Sequence, residues 1–388
     1  MLNGLQTRHR LLALILTACS VGTPVAPPTP SLSPTNTIAA QHTPIAPTVE
    51  PPLFSSPSTT PVSALLFPPW AGANLTGHVI FVAPPESQGS LVRLDLASSL
   101  ITPVFQPPAN ARATGATVSP DGKHVLITYT PPPSADRVQY YGNTDLYLLP
   151  AQCLDLTEGC SHDDLTPLLI RKDTAESYYN PMWSSDGTHI YYTHLNFTRS
   201  GDQGSFSYRI ERLAFPDGQP EVVIENAIWP RLSPDGSKLA FVSSTTNELF
   251  IADADGLNEK LITPSGVFAM VDVPFFSPDG SALIFSAARI IVSSSLSWTD
   301  QLLGVQSVSA GATLHNIPSD WYRIPAGGGQ PEQLTNIFAT NLYGSFTPDG
   351  NFIVFVSSTG LFIMQPNGIN LTQLINGEMN GTIGWARP

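Results

Sequence analysis

From about residue 73 onward the chain is a succession of short apolar runs separated by turn residues, with no sustained helical period. One unit recurs. Ser233-Pro234-Asp235-Gly236 precedes the run Leu239-Ala240-Phe241-Val242, and Ser119-Pro120-Asp121-Gly122 precedes Val125-Leu126-Ile127. Ser184-Ser185-Asp186-Gly187 leads into Ile190-Tyr191-Tyr192, Ser277-Pro278-Asp279-Gly280 into Leu283-Ile284-Phe285, and Thr347-Pro348-Asp349-Gly350 into Ile353-Val354-Phe355. A sixth copy lacks the turn letters and keeps the run Val79-Ile80-Phe81. Repeats at this spacing decide an architecture before any single residue is weighed.

The four letters suit a type I turn. Ser accepts at the first position, Pro presets φ at the second, Asp tolerates the third and Gly takes the fourth. Asp121, Asp186, Asp235, Asp279 and Asp349 are therefore read as turn stabilisers. The run after each turn is apolar at consecutive positions, which predicts a strand covered on both faces. A bulky residue ends a first strand before four of the turns: Trp183, Leu232, Phe276 and Phe346. Third strands follow at Asp145-Leu146-Tyr147-Leu148, Glu248-Leu249-Phe250-Ile251 and Gly360-Leu361-Phe362-Ile363. Fourth strands follow at Lys260-Leu261-Ile262 and Thr372-Gln373-Leu374-Ile375. Four antiparallel strands per unit, stacked radially, make an all-β propeller.

The turn and third-strand pattern resembles the TolB-type, WD-like β-propeller repeat over residues 73–388. The resemblance implies a structural role for the turn Asp residues and carries no catalytic residue with it. Six blades are expected. The long intervals between turns at 119 and 184 and between 277 and 347 exceed one blade by too little to hold another. Blade 1 lacks an inner strand, and Thr382-Ile383-Gly384-Trp385 is a spare strand shaped like the inner ones. The C-terminal strand is therefore expected to complete blade 1, leaving only short protected edges.

Ahead of the propeller, residues 1–18 read as a targeting segment. Arg8 and Arg10 precede a short apolar core, Leu11 to Thr17, too short to span a bilayer. Its end, Leu16-Thr17-Ala18-Cys19, resembles a bacterial lipobox, which implies that Cys19 becomes the lipidated first residue of the mature chain. An ordinary secretory peptide with an incidental cysteine is the alternative. Residues 19–70 are rich in Pro, Thr, Ser and Ala with one acidic residue, Glu50, and predict a disordered tether. At ~3 Å per residue it would reach on the order of 150 Å when extended. The expected organisation is a lipoprotein signal peptide (1–18), a tether (19–70) and a propeller (71–388). The expected location is the bacterial cell envelope, outside the cytoplasm and lipid-anchored, with membrane contact through the anchor only.

The net charge of −13 argues against nucleic acid and anionic membrane as partners. Apart from Cys19, only Cys153 and Cys160 remain, and in an oxidising compartment a disulfide between them is expected. Metal binding by the pair with His162, Asp163 and Asp164 is the alternative, but six intervening residues are unlike the usual zinc spacing. Asp253-Ala254-Asp255-Gly256 looks like half a calcium loop and Ala326-Gly327-Gly328-Gly329 like a phosphate loop. Both lie between strands and are read as hairpin turns. No nucleophile elbow or zinc-protease motif is present, so no catalytic residue, metal or cofactor is expected.

Long connections carry the remaining signal. Between second and third strands lie Pro131–Asn143, Asn196–Ser205 and Ala287–Pro318, which antiparallel order places on the face opposite the turns. They carry Tyr140, Tyr141, Arg199, Trp298 and His315. The connection from blade 2 to blade 3 adds Tyr178, Tyr179 and Asn180 on that face. Long loops grouped on one face of a rigid scaffold usually carry function, and exposed aromatics favour binding. The reading is a non-catalytic scaffold that binds an envelope protein or a glycan. The alternative is a propeller-type polysaccharide lyase or hydrolase acting at the central channel, which requires carboxylates or histidines converging there.

Overall fold

The computed structural model describes residues 75–386 apart from 85–88, 134–142, 201–202 and 291–316. Cys19, the targeting segment and the tether lie outside the described residues. Among the described residues the fold is all β, with six four-stranded antiparallel sheets arranged as blades of a propeller. Blade 1 holds β1 (His78–Val82), β2 (Leu91–Asp95) and β3 (Ile101–Phe105). Blade 2 holds β4 (Arg112–Val118), β5 (His124–Thr130), β6 (Asp145–Pro150) and β7 (Thr166–Leu169). Blade 3 holds β8 (Glu176–Trp183), β9 (His189–Ser200), β10 (Gln203–Ala214) and β11 (Glu221–Glu225). Blade 4 holds β12 (Ala227–Leu232), β13 (Lys238–Ser243), β14 (Leu249–Asp253) and β15 (Lys260–Leu261). Blade 5 holds β16 (Phe268–Phe276), β17 (Ala282–Arg289), β18 (Asp320–Pro325) and β19 (Glu332–Gln333). Blade 6 holds β20 (Tyr343–Phe346), β21 (Ile353–Ser357), β22 (Gly360–Met364) and β23 (Thr372–Asn376).

The last strand, β24 (Gly384–Ala386), pairs antiparallel with β1, so that Trp385 lies opposite Val79 and Gly384 opposite Ile80. The first and last strands of the propeller thus share one blade, as expected, although the closing strand spans Gly384–Ala386 where Thr382–Trp385 was expected. The second strands are the core. Every residue of β21 is buried, and so is all of β17 before Arg289. A strand between two neighbouring blades has no wet face, which is why the apolar columns run without alternation. Fully burying each of these side chains contributes roughly 1.5–3 kcal/mol. The outer strands β15 and β19 span two residues each, leaving little exposed edge.

The repeated turns bind themselves first. In all five copies the hydroxyl of the first residue donates to the turn Asp at 2.5–2.6 Å and accepts from the backbone N–H five residues on. Donation by that hydroxyl is the largest cause holding Asp121, Asp186, Asp235 and Asp279 at about 2. The turns also touch one another. The space above Gly187 is closed by Pro120, above Gly236 by Ser185, above Gly280 by Pro234, and above Gly350 by Pro278. Gly77 of blade 1 continues the row, meeting Pro348 of blade 6. The second and fourth letters of the tetrapeptide are thus an inter-blade contact as well as a turn.

Cys153 and Cys160 are bridged, with 5.3 Å between their Cα atoms. The bridge shapes a loop that leaves blade 2 and docks on blade 1. Cys160 exchanges backbone hydrogen bonds with Val104 and Gln106, each at 2.8 Å, extending the outer edge of β3. Arg93 and Asp155 add an ion pair at 3.6 Å across the same joint. His162 and Asp164 serve local structure: the His162 ring meets the Tyr129 hydroxyl at 3.1 Å, and Asp164 caps Ser161. Among the described residues no group of three His, Cys, Asp or Glu could hold a metal. The two suspect loops are hairpin turns, closed by Gly256 N–H on Asp253 and Gly328 N–H on Pro325.

Candidate functional site

The connections predicted to carry binding residues divide into described and undescribed parts. Tyr140, Tyr141, Trp298 and His315 lie outside the described residues. Tyr178, Tyr179 and Asn180 do not sit in a connection. They belong to β8, the inner strand of blade 3, and a loop reading fails because the blade begins at Glu176. Tyr178 and Asn180 are buried, and Tyr179 is half-buried. The third segment, Asn196–Ser205, is not a loop either. It is the continuation of β9 and β10 in one hairpin whose pairing runs unbroken from His189–Ala214 to Ser200–Gln203.

That hairpin outgrows its blade. β8 accompanies β9 only as far as Asn196, and β11 accompanies β10 only between Arg209 and Arg212. Beyond Phe197 the two strands have, among the described residues, only each other in the ladder and form a two-stranded arm. Its residues alternate in the usual way, so Phe197 and Phe206 face each other with ring centroids 4.9 Å apart. Arg199 and Gly204 form the next pair on the same side. A Cβ on Gly204 would sit 2.5 Å from the Phe197 ring, so the glycine makes room for that ring to lie across the strand. Phe206 is 60% exposed and Arg199 is exposed.

At the root of the arm is a buried polar cluster. His194 meets Glu211 at 3.0 Å and lies 3.8 Å from Glu176, while Arg209 reaches Glu211 at 2.6 Å. Tyr192 donates to Glu211 at 2.8 Å, and Tyr178 donates to Glu176 at 3.4 Å. Burial opposes ionisation of Glu211, but the hydrogen bonds from His194 and Tyr192 and the Arg209 guanidinium prevail and hold it at about 2. The arm therefore springs from a base cross-linked by charge-assisted hydrogen bonds.

The central channel is the second place where side chains from several blades converge. In three inner strands the pairing slips where a proline follows a residue of positive φ: Asn180 (φ 54), Trp229 (φ 61) and Val273 (φ 47). Proline is tolerated on an edge strand or at a bulge, and inner strands are the edges that face the axis. The bulges bring side chains inward. The Trp229 indole donates to Asp272 at 2.9 Å and lies 5.6 Å from the Tyr343 ring, so blades 4 and 6 meet across the ring. Burial, followed by the proximity of Tyr208, Asp272 and Tyr343, pushes the Tyr179 hydroxyl well above its ordinary range. Two residues past Trp229 lies Arg231, half-buried, with its guanidinium donating to the Pro230 carbonyl at 2.8 Å. Sequence reasoning missed Trp229, Arg231, Asp272 and Tyr343. The available signal was the proline three positions before the turn in blades 3 to 5: Pro181, Pro230 and Pro274.

No family model and no curated protein matches the chain. Solved structures of similar fold do exist. TolB from Acinetobacter baumannii is 15% identical with a TM-score of 0.52, the alignment covering 81% of this chain and 67% of that one. The putative TolB from Agrobacterium tumefaciens is 17% identical with a TM-score of 0.50, covering 81% and 100%. A chain from the nidogen/laminin complex is 13% identical with a TM-score of 0.53, covering 80% and 98%. At these identities the likeness is one of fold, and the fold is that of the TolB-type propeller.

Proposed function

We propose that this protein is a lipid-anchored, extracytoplasmic scaffold that binds an envelope protein or a glycan through the face bearing its long connections. The observation that carries the reading is the arm beyond Phe197. A two-stranded ribbon with an exposed phenylalanine gains little stability from its own packing. Its aromatic pair and adjacent arginine are the residue types that dominate binding hot spots and also suit the apolar faces of sugar rings. The buried cluster at its root holds the ribbon in place, which lowers the entropic cost of docking. The location rests on the lipobox-like end at Cys19 and on the disulfide, which persists in oxidising compartments.

Capture from the native envelope with residues 71–388 tests the binding face. A partner retained by the wild-type propeller and lost with Phe206→Ala or Arg199→Ala supports the reading. A partner retained equally by both variants and lost when 154–159 is altered moves binding to the turn face. Detergent phase partitioning of wild type and Cys19→Ala tests the anchor, and equal partitioning into water rules it out.

A further inference from the structure

We infer that His194 is a proton-operated latch at the root of the arm, which ties β8 to β9 by drawing the Glu176 carboxylate onto its Nε2. Tyr178, His194 and Arg209 stand directly opposite one another across β8, β9 and β10. His194 is buried, and its Nδ1 lies 3.0 Å from two groups of opposite demand, the Arg209 guanidinium and the Glu211 carboxylate. One nitrogen cannot serve both. With a lone pair it accepts from Arg209, and with a proton it donates to Glu211. The other nitrogen, Nε2, is buried with no hydrogen-bond partner among the described residues. Glu176 Oε1 lies 3.8 Å from it, beyond hydrogen-bond range. Either neutral tautomer therefore leaves Nε2 unsatisfied. The imidazolium satisfies both nitrogens, donating from Nδ1 to Glu211 and from Nε2 to Glu176 once that carboxylate closes by about 1 Å.

Charge points the same way. Glu176 and Glu211 flank the ring and Arg209 offsets one of them, so a neutral ring leaves a buried negative charge that a proton from solvent cancels. The other groups on this face do not compete for that proton. Burial keeps the Tyr178 and Tyr192 hydroxyls protonated, with the neighbouring glutamates adding to the effect. Asp145 of blade 2, near Tyr178, is paired with Arg171 at 3.0 Å, and the Lys172 backbone N–H holds the second Glu176 oxygen at 2.8 Å. Glu211, held at about 2, stays a carboxylate through the range in which histidine side chains change charge, about pH 5 to 8. Glu176 opens β8 and pairs with Asn196, and beside it the Ala175 carbonyl takes the Phe197 N–H at 2.7 Å. Closing Glu176 onto His194 thus stiffens the arm where it leaves its blade, and a stiffer arm docks at lower entropic cost. As regulation of partner capture the latch rests on the arm being the docking element; as a property of the protein it does not.

Hydrogen exchange of the full chain between about pH 5 and 8, with intrinsic rates divided out, tests the latch. Protection of the arm amides at 197–200 and 203–207 should rise by roughly tenfold toward the acid end, the worth of one charge-assisted hydrogen bond, while β21 stays level. Glu176→Gln removes the anion that Nε2 would meet and should flatten the response without lowering the melting temperature. His194→Gln should flatten it too. The inference is overturned if wild-type protection of the arm does not change with pH, if it falls toward acid, or if either variant keeps the response. Should His194→Gln fail to fold, Glu176→Gln decides the question alone. Partner capture separates this inference from the reading of the arm. An intact exchange response with capture indifferent to Phe206 overturns the docking role and leaves the latch standing. Capture that needs Phe206 with a flat exchange response does the reverse.

Discussion

On the turn face, five copies of one hydrogen-bond pattern repeat within 2.5–2.6 Å, and each copy rests on its neighbour. On the opposite face, blade 3 sends out an arm of paired twelve-residue strands, whereas the corresponding strands of blade 6, β21 and β22, have five residues each. The difference is one of what each face must satisfy. The turns sit where blades converge, so each must fit the next and tolerance is small. In blade 3 the strands run on past the end of their own blade's ladder, and their length is set by their own pairing. The turn face joins blade to blade, and the opposite face is the one proposed above for recognition. The channel joins them, built from inner strands that belong to neither.

If this division holds, damage at the joint between the chain ends should exceed any single change elsewhere. Truncation after Glu378 removes β24 and uncovers Val79 and Ile80, both fully buried. The expected result is loss of cooperative unfolding, seen as a broad or absent transition in calorimetry. Unchanged melting would show that the ring does not need its last strand. Replacing Cys153 and Cys160 by Ala should cost about 2–3 kcal/mol, read by denaturant unfolding, because the small loop they close docks on blade 1.

Next in size is the contact between turns. Gly350 has φ 72, and a Cβ there would lie 2.8 Å from Pro278, whereas Gly266 has φ 74 and open space around it. Both Gly→Ala changes incur the left-handed strain, of roughly 1–2 kcal/mol. Gly350→Ala should cost about 1 kcal/mol more, through the clash. Equal losses in urea titration would mean that the turns do not support one another.

The arm's base should respond to acid. The Glu211 pKa is depressed in the fold, so its contribution is complete above the unfolded value near 4.5 and is lost as pH falls toward about 2. Stability measured between those values should fall more steeply for wild type than for Glu211→Gln. The turn carboxylates titrate in the same window on the other face, so Glu211→Gln flattens only part of the slope. The smallest effect on stability is expected at the arm's tip. Phe206→Ala should change unfolding free energy by no more than about 0.5 kcal/mol while weakening partner capture by about 1–2 kcal/mol. A large loss of stability would mean that Phe206 packs the ring and is not a contact for a partner.

The order of these effects follows what consecutive residues encode. The turn tetrapeptides, the doubly apolar second strands, the blade number, the closing strand and the disulfide could all be read from the amino-acid order. Each depends on neighbours in sequence or on counting strands, and strong local signals survive without any knowledge of the ring. The site was legible only in part. Arg199 is exposed, on an element that is a strand pair and not the loop expected. Tyr178, Tyr179 and Asn180 were placed in a connection because nothing local marks where β8 begins, whereas in the fold they enter the wall of the ring. The tertiary structure alone decided that the Trp229 indole reaches Asp272 and that its ring lies against Tyr343. These three residues sit on the inner strands of blades 4, 5 and 6, which approach one another only when the ring closes.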